Sequence, residues 1–171
     1  MKKKLIFIAM LFLSFSILSA CCEIQAKDYL RIHIRANSNA EIDQEVKYLV
    51  KDEIVEFISP LIEDLDSKEK VVMVLQKNIS QMKDAVDKRL LQNGFQYKSN
   101  IEIKEELFPT RYYGDYLLPS DYYDAIIVNL GSGSGDNWWC VVYPPLCFVE
   151  TENKNVVYKS KLWEIIKKFF N

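Results

Sequence analysis

The sequence predicts an α+β domain, with a mainly antiparallel sheet of about 4–5 strands, two long antiparallel helices packed on it and a C-terminal amphipathic helix. Three observations carry this reading. Apolar residues alternate in YLRIHIR, with Leu30, Ile32 and Ile34 on one face and Arg31, His33 and Arg35 on the other. Between Ile42 and Leu90 they recur at helical spacing instead. After Gly94 the chain breaks into short strand-like runs separated by turn residues.

Taken in order, residues 30–35 form a half-buried strand, with His33 on its polar face, exposed or paired with a carboxylate. The ANSNAE that follows is a strand-to-helix junction, where Ser38 and Glu41 match a capping box. Ile42, Val46, Leu49, Val50, Ile54, Phe57 and Ile58 make one apolar stripe, which Pro60 should break or kink, with Ser59 able to cap a further turn. A second helix starts after Ser67, places Val71, Val72, Leu75, Ile79, Met82, Val86 and Leu90 in its stripe, and stops at Asn93-Gly94. Ile101 and Ile103 mark a strand that ends at Phe108-Pro109. AIIVNL reads as a central strand buried on both faces. GSGSG then supplies a hairpin connection to DNWWCVVY, its antiparallel neighbour, leaving Asp136 and Asn137 free to bond nearby backbone. Leu162, Ile165, Ile166, Phe169 and Phe170 line the tail helix, which docks on the sheet or lies on a membrane surface.

The N-terminus reads as an export leader over residues 1–26, followed by a single extracytoplasmic domain over 27–171. Lys2, Lys3 and Lys4 precede an apolar run of 14 residues from Leu5 to Leu18. A spanning helix wants about 20. Leu18-Ser19-Ala20-Cys21 also resembles a bacterial lipobox, which makes Cys21 a lipidation candidate. Cleavage with lipid at Cys21, ordinary cleavage after Ala26 and retention as an anchor all place the domain outside the cytoplasm. Loss of the three lysines leaves 19 basic against 24 acidic residues, a balance with no electrostatic handle for nucleic acid.

The stretch GSGSGDNWWCVVYPPLCFVE concentrates the unusual residues. Trp138 and Trp139 must point to opposite faces of a strand. Cys140 and Cys147 bracket a Pro-Pro turn, and outside the cytosol such a pair is expected to form a disulfide. With His33 they make at most three metal ligands, too few for a structural zinc site. GSGSG lacks the Lys-Ser/Thr of a phosphate loop and the spacing of a dinucleotide fingerprint. A Cys–His nucleophile would need a reduced Cys140 or Cys147 beside His33. Asp115, Asp121, Asp124 and Asp136 have the types for a carboxylate pair, but turn formation explains them. Tyr112, Tyr113, Tyr116, Tyr122 and Tyr123 crowd the loops on either side of Gly114-Asp115 and Pro119-Ser120, where large rings with polar tips suit an interface as well as loop packing.

RIHIRANSNAEIDQEVK resembles the R-[LI]-x-[IV]-x-A-N-S-[DN]-x-x-x-D-Q-x-x-K opening of the stage II sporulation protein R family. FPTRYYGDYLLPSDYYDAIIVNLGSGSGDNWWCVVYPPLCFVE is similar to that family's long F-P-T to P-P-L-C-F block, with Asn39 and Tyr143 as mild departures. The family region covers about residues 29–150. The resemblance implies a secreted signalling protein of endospore-forming bacteria, exported from the forespore into the intermembrane space. It implies a partner, a membrane-embedded aspartic protease of the mother cell, which processes the precursor of sigma-E. No cofactor, metal, nucleic acid or small-molecule substrate is implied. The expected partner-binding residues are Tyr112, Tyr113, Gly114, Asp115, Asp136, Asn137, Trp138 and Trp139, with Arg31 and His33 on the neighbouring strand. A secreted septal cell-wall hydrolase and a membrane-bound scaffold are the alternative readings.

Overall fold

Residue pairing on both sides of one six-residue strand organises the molecule. In the computed structural model, residues 26–113 and 116–146 are described. A 3-10 turn at Ala26–Asp28 leads into β1 (Leu30–Arg35), then α1 (Glu41–Ile62), α2 (Lys68–Lys77) and α3 (Ile79–Gln92). The strands β2 (Ser99–Phe108), β3 (Arg111–Tyr113), β4 (Tyr116–Leu118), β5 (Asp121–Leu130) and β6 (Asn137–Tyr143) follow. The main sheet runs β2-β5-β1-β6, and β3-β4 form a separate two-stranded ribbon. The result is a mixed α+β single domain. β2–β5 and β1–β6 are antiparallel as the sequence suggests, but the central β1–β5 pair is parallel. A parallel pair needs a long crossover, and the three helices between β1 and β2 supply it.

The placement of β6 differs from expectation. It does not pair with β5 through a hairpin; it crosses the end of β1 and pairs on that strand's far side, with Ile34 opposite Trp138 and Ile32 opposite Cys140. The Gly-rich loop is therefore a bridge over a strand end, held there by bonds to the loop that leaves β1.

β5 is buried on both faces. Ile126, Val128 and Leu130 join Leu30, Ile32, Ile34 and the helices in the larger core. Tyr123, Ala125 and Ile127 join Tyr29, Phe108, Leu118 and Val141 in a smaller core on the opposite face. Each fully buried aliphatic side chain contributes roughly 1.5–3 kcal/mol by leaving water.

Several local expectations are corrected. α1 starts at Glu41 with Ala40 as N-cap and no side-chain cap. Ser38 Oγ instead accepts from Ala40 N at 3.1 Å and donates to Asp43 at 2.5 Å. The buried stripe of α1 is Asp43, Val46, Lys47, Val50, Ile54, Ile58 and Ile62. Ile42 and Leu49 are 59% and 40% exposed, because the two loops close over the Asp43 and Lys47 side of the helix. Pro60 does not break the helix; only two residues follow it, and Ser59 Oγ donates back to Val55 O. The second predicted helix is interrupted at Asn78, whose Nδ2 donates to Val74 O at 2.8 Å and whose N–H donates to Leu75 O. Asparagine's side chain competes with the helical backbone in this way. Ser67 caps α2 by accepting from Lys70 N. No helix among the described residues is long and apolar enough to cross a membrane. The expected leader and tail helix lie outside the described residues.

Candidate partner-binding groove

β6 is an edge strand of the main sheet, and its tryptophans split between the two faces. Trp138 packs against the larger core and Trp139 against the smaller one; both remain partly exposed. The β3–β4 ribbon folds over the smaller core by burying Leu118, which brings Arg111 over the Trp139 ring at 4.3 Å. Arg111, Tyr112, Tyr113, Asn137, Trp138 and Trp139 thereby line one open groove of about 380 Å³. Tyr112 is 74% exposed at its rim. Five of these six residues were singled out from the sequence. Arg111 was not, although a cation directly before two tyrosines and across a turn from a Trp pair is a signal for ring stacking.

Arg31 and His33 lie beneath Tyr113 and Trp139, and both are buried where the alternation suggested a polar surface. The cause is the covering of this face by Trp139 and the ribbon. Arg31 Nη2 donates to Tyr113 Oη at 2.6 Å. Its guanidinium carbon lies 4.1 Å from the Phe108 ring centre and 4.9 Å from that of Tyr123. Burial pushes Arg31 below its ordinary pKa and pushes the Tyr113 phenol up. His33 Nδ1 meets Glu106 Oε1 at 2.5 Å, and Arg35 Nη2 meets Glu106 Oε2 at 2.6 Å. A carboxylate cannot donate, so the shared proton sits on Nδ1. Burial alone would raise Glu106, but the bonds from His33 and Arg35 outweigh it and hold the carboxyl below its usual range. The His33 ring stacks on Trp139 at 5.2 Å and meets Phe108 edge-on at 5.8 Å.

The position of the groove is fixed by a clasp between the loops that leave the parallel strands β1 and β5. Asn37 O accepts from Ser132 Oγ at 2.6 Å and Ser134 Oγ at 2.8 Å, and Asn37 Oδ1 accepts from Ser132 N at 2.9 Å. Asn39 Oδ1 accepts from Asp136 N at 2.6 Å, while Asp136 O accepts from Lys47 Nζ at 3.1 Å. Asp43 anchors the lower side, accepting from Asn37 Nδ2, Ser38 Oγ and Tyr97 Oη. These bonds outweigh its burial and hold its carboxyl low. Gly135 passes so close to the Ser38 carbonyl that a Cβ would collide with it. Asp136 thus serves the clasp through its backbone, and its exposed carboxylate makes no hydrogen bond among the described residues. Asp43, Gln44 and Lys47 were missed as supports for the site; their D-Q-x-x-K spacing one turn into the helix was the available signal.

Cys140 is 7% exposed and belongs to the helix-side core, whereas His33 lies on the other face of the sheet. Strand parity therefore separates Cys140 from His33 and removes that version of a nucleophile pair. Asp124 is paired with Lys68 at 2.7 Å. Gly114, Asp115, Cys147 and Cys21, all expected to matter, lie outside the described residues.

A family model described as stage II sporulation protein R matches residues 26–153. A curated relative named Stage II sporulation protein R, from Bacillus subtilis (strain 168), is 32% identical over 139 residues, which is 81% of this chain and 62% of the relative. The chain thus spans about three fifths of that relative's length. No solved structure matches.

Proposed function

Since this chain belongs to the stage II sporulation protein R family, a family of sporulation proteins, we propose that it is an exported signal that acts by binding. Its partner in this reading is a membrane-embedded aspartic protease of the mother cell, which then processes the precursor of sigma-E. Delivery is from the forespore into the intermembrane space, with Cys21 as a site for lipid and a Cys140–Cys147 bond closing the Pro-Pro turn. Catalysis belongs to the protease and not to this chain.

The observation that carries the reading is the groove beside β6. Partly exposed tryptophan, tyrosine and arginine side chains converge there, the residue types that dominate binding energy at protein interfaces. The clasp, with Arg31 and His33 beneath Tyr113 and Trp139, fixes these groups before a partner arrives, which lowers the ordering cost of association. Activation follows only if the active state of the protease binds this face more tightly than the inactive one.

The test is processing of the sigma-factor precursor in sporulating cells that carry Arg111→Ser with Tyr112→Ala. Both side chains are exposed, so the protein should accumulate and be exported normally while processing falls at least tenfold. Normal processing with the variant present at wild-type level would show that the docking face lies elsewhere.

A further inference from the structure

Among the described residues, three buried side-chain nitrogens have no hydrogen-bond partner: Arg31 Nε, Arg31 Nη1 and His33 Nε2. They belong to two residues on the same face of β1, directly beneath Tyr113 and Trp139. A buried guanidinium whose described neighbours are rings, one neutral hydroxyl and the like charge of Arg111 is among the costliest groups for a fold to keep.

The bonding pattern of Arg31 is specific. A guanidinium grips a carboxylate with two nitrogens, either Nη1 with Nη2 or Nε with Nη2. Nη2 is common to both grips, and the Tyr113 hydroxyl holds it at 2.6 Å. The nitrogens that would complete either grip are the two without partners. Tyr113 is at the same time a wall of the groove. It stands on a ribbon whose strands pair only with each other, a marginal arrangement in isolation.

We propose that Arg31 receives an acidic side chain of the partner protein, and that the Tyr113 hydroxyl is a gate which that carboxylate displaces. The proposal rests on the reading of the groove as the docking face. The ligand is a carboxylate because Phe108 and Tyr123 crowd the guanidinium carbon. A flat group extending in the guanidinium plane fits there, whereas the out-of-plane oxygens of a phosphate meet the rings. Rotation of Tyr113 toward the groove releases Nη2, since the wall residue and the cap are the same side chain.

The experiment titrates the purified full chain, carrying ¹⁵N-labelled arginine, with sodium acetate. It follows the Arg31 Nε–H resonance, assigned through its contacts to the Phe108 and Tyr123 rings. The expected result is a saturable shift, tightened about tenfold in Tyr113→Phe, which keeps the ring and removes the competing hydrogen bond to a charged group. Unchanged or weaker acetate binding in Tyr113→Phe overturns the gate. No saturable response in either protein, or a guanidinium already paired with a carboxylate of this chain, overturns the site. An equal response to sodium sulfate overturns the carboxylate assignment. Loss of precursor processing in the Arg111→Ser/Tyr112→Ala variant, together with an acetate-blind Arg31, removes this site and leaves the docking face standing.

Discussion

His33 and Trp139 are register partners across the β1–β6 ladder, and their rings stack with centroids 5.2 Å apart and planes 30° from parallel. Arg111 lies over the same indole at 4.3 Å. One side chain thus joins the sheet, the ribbon and the groove.

Trp139→Ala should therefore lower stability by about 2–3 kcal/mol, below the cost of a fully buried Trp because this ring is partly exposed. Urea unfolding checks the loss, and hydrogen exchange should show the β3–β4 ribbon opening before the main sheet. A variant with wild-type protection in residues 111–118 would mean that Trp139 does not hold the ribbon.

Glu106→Gln should cost about 1–3 kcal/mol at pH 7, since His33 and Arg35 lose a shared acceptor. The sign with pH follows from its depressed folded pKa. Glu106 stabilises fully above its ordinary value of about 4.3, and that contribution disappears as pH falls through the lower folded value. The gap between wild type and variant should be constant near neutrality and close under acid. Asp43 and Asp87 are also held low, so the variant keeps a residual acid limb. Urea titrations between about pH 3 and 7 read both curves; a gap that widens under acid would contradict the assignment.

Gly135→Ala should destabilise by about 2 kcal/mol, because the added methyl meets a backbone carbonyl that cannot rotate away. The damage should appear in the clasp, as faster amide exchange at Ser132 and Asp136, whose N–H groups both bond to it. Slow exchange at both positions would show that the loops accommodate the methyl.

The register of α1 gives a sharp contrast. Ile42→Lys should change stability by no more than about 0.5 kcal/mol, as for an ordinary surface site. Val46→Ala, at a site 1% exposed, should cost about 1–3 kcal/mol. Equal costs in thermal unfolding would place the helix in the register that its apolar pattern alone suggested.

Periodicity made most of the framework legible. The strand at residues 30–35 and the opposite orientations of Trp138 and Trp139 follow from a repeat of two, and the doubly buried β5 from an unbroken apolar run. What failed had a common cause, in that polar residues were assigned to water by type. Lys47 took a core-facing position because a loop 89 residues away supplied an acceptor, Asp43 did so because Tyr97 and the loop that leaves β1 supplied donors, and Arg31 was sealed by a ribbon folded from across the sheet. Local patterns carry no information about such distant covers. The bridge from β5 over β1 was invisible for the same reason, whereas the helix break at Asn78 is local, made by the side chain's bond to Val74 O. For the groove, the sequence singled out Tyr112, Tyr113, Asn137, Trp138 and Trp139, while the enclosure that unites them depends on tertiary placement.

The crossing of the Gly-rich loop over the end of β1 also has a temporal meaning. Among the described strands the earliest made is bordered on both flanks by the latest two, so residues 30–35 find no strand neighbour until residues 124–129 have arrived and no second one until residues 137–143 follow. A chain delivered N-terminus first must keep that segment without a strand partner until β5 arrives. The sheet then closes late, by long-range encounters that are intrinsically slow. Closure of the described sheet is thereby tied to the arrival of β6, and a product truncated before Asn137 cannot assemble the groove.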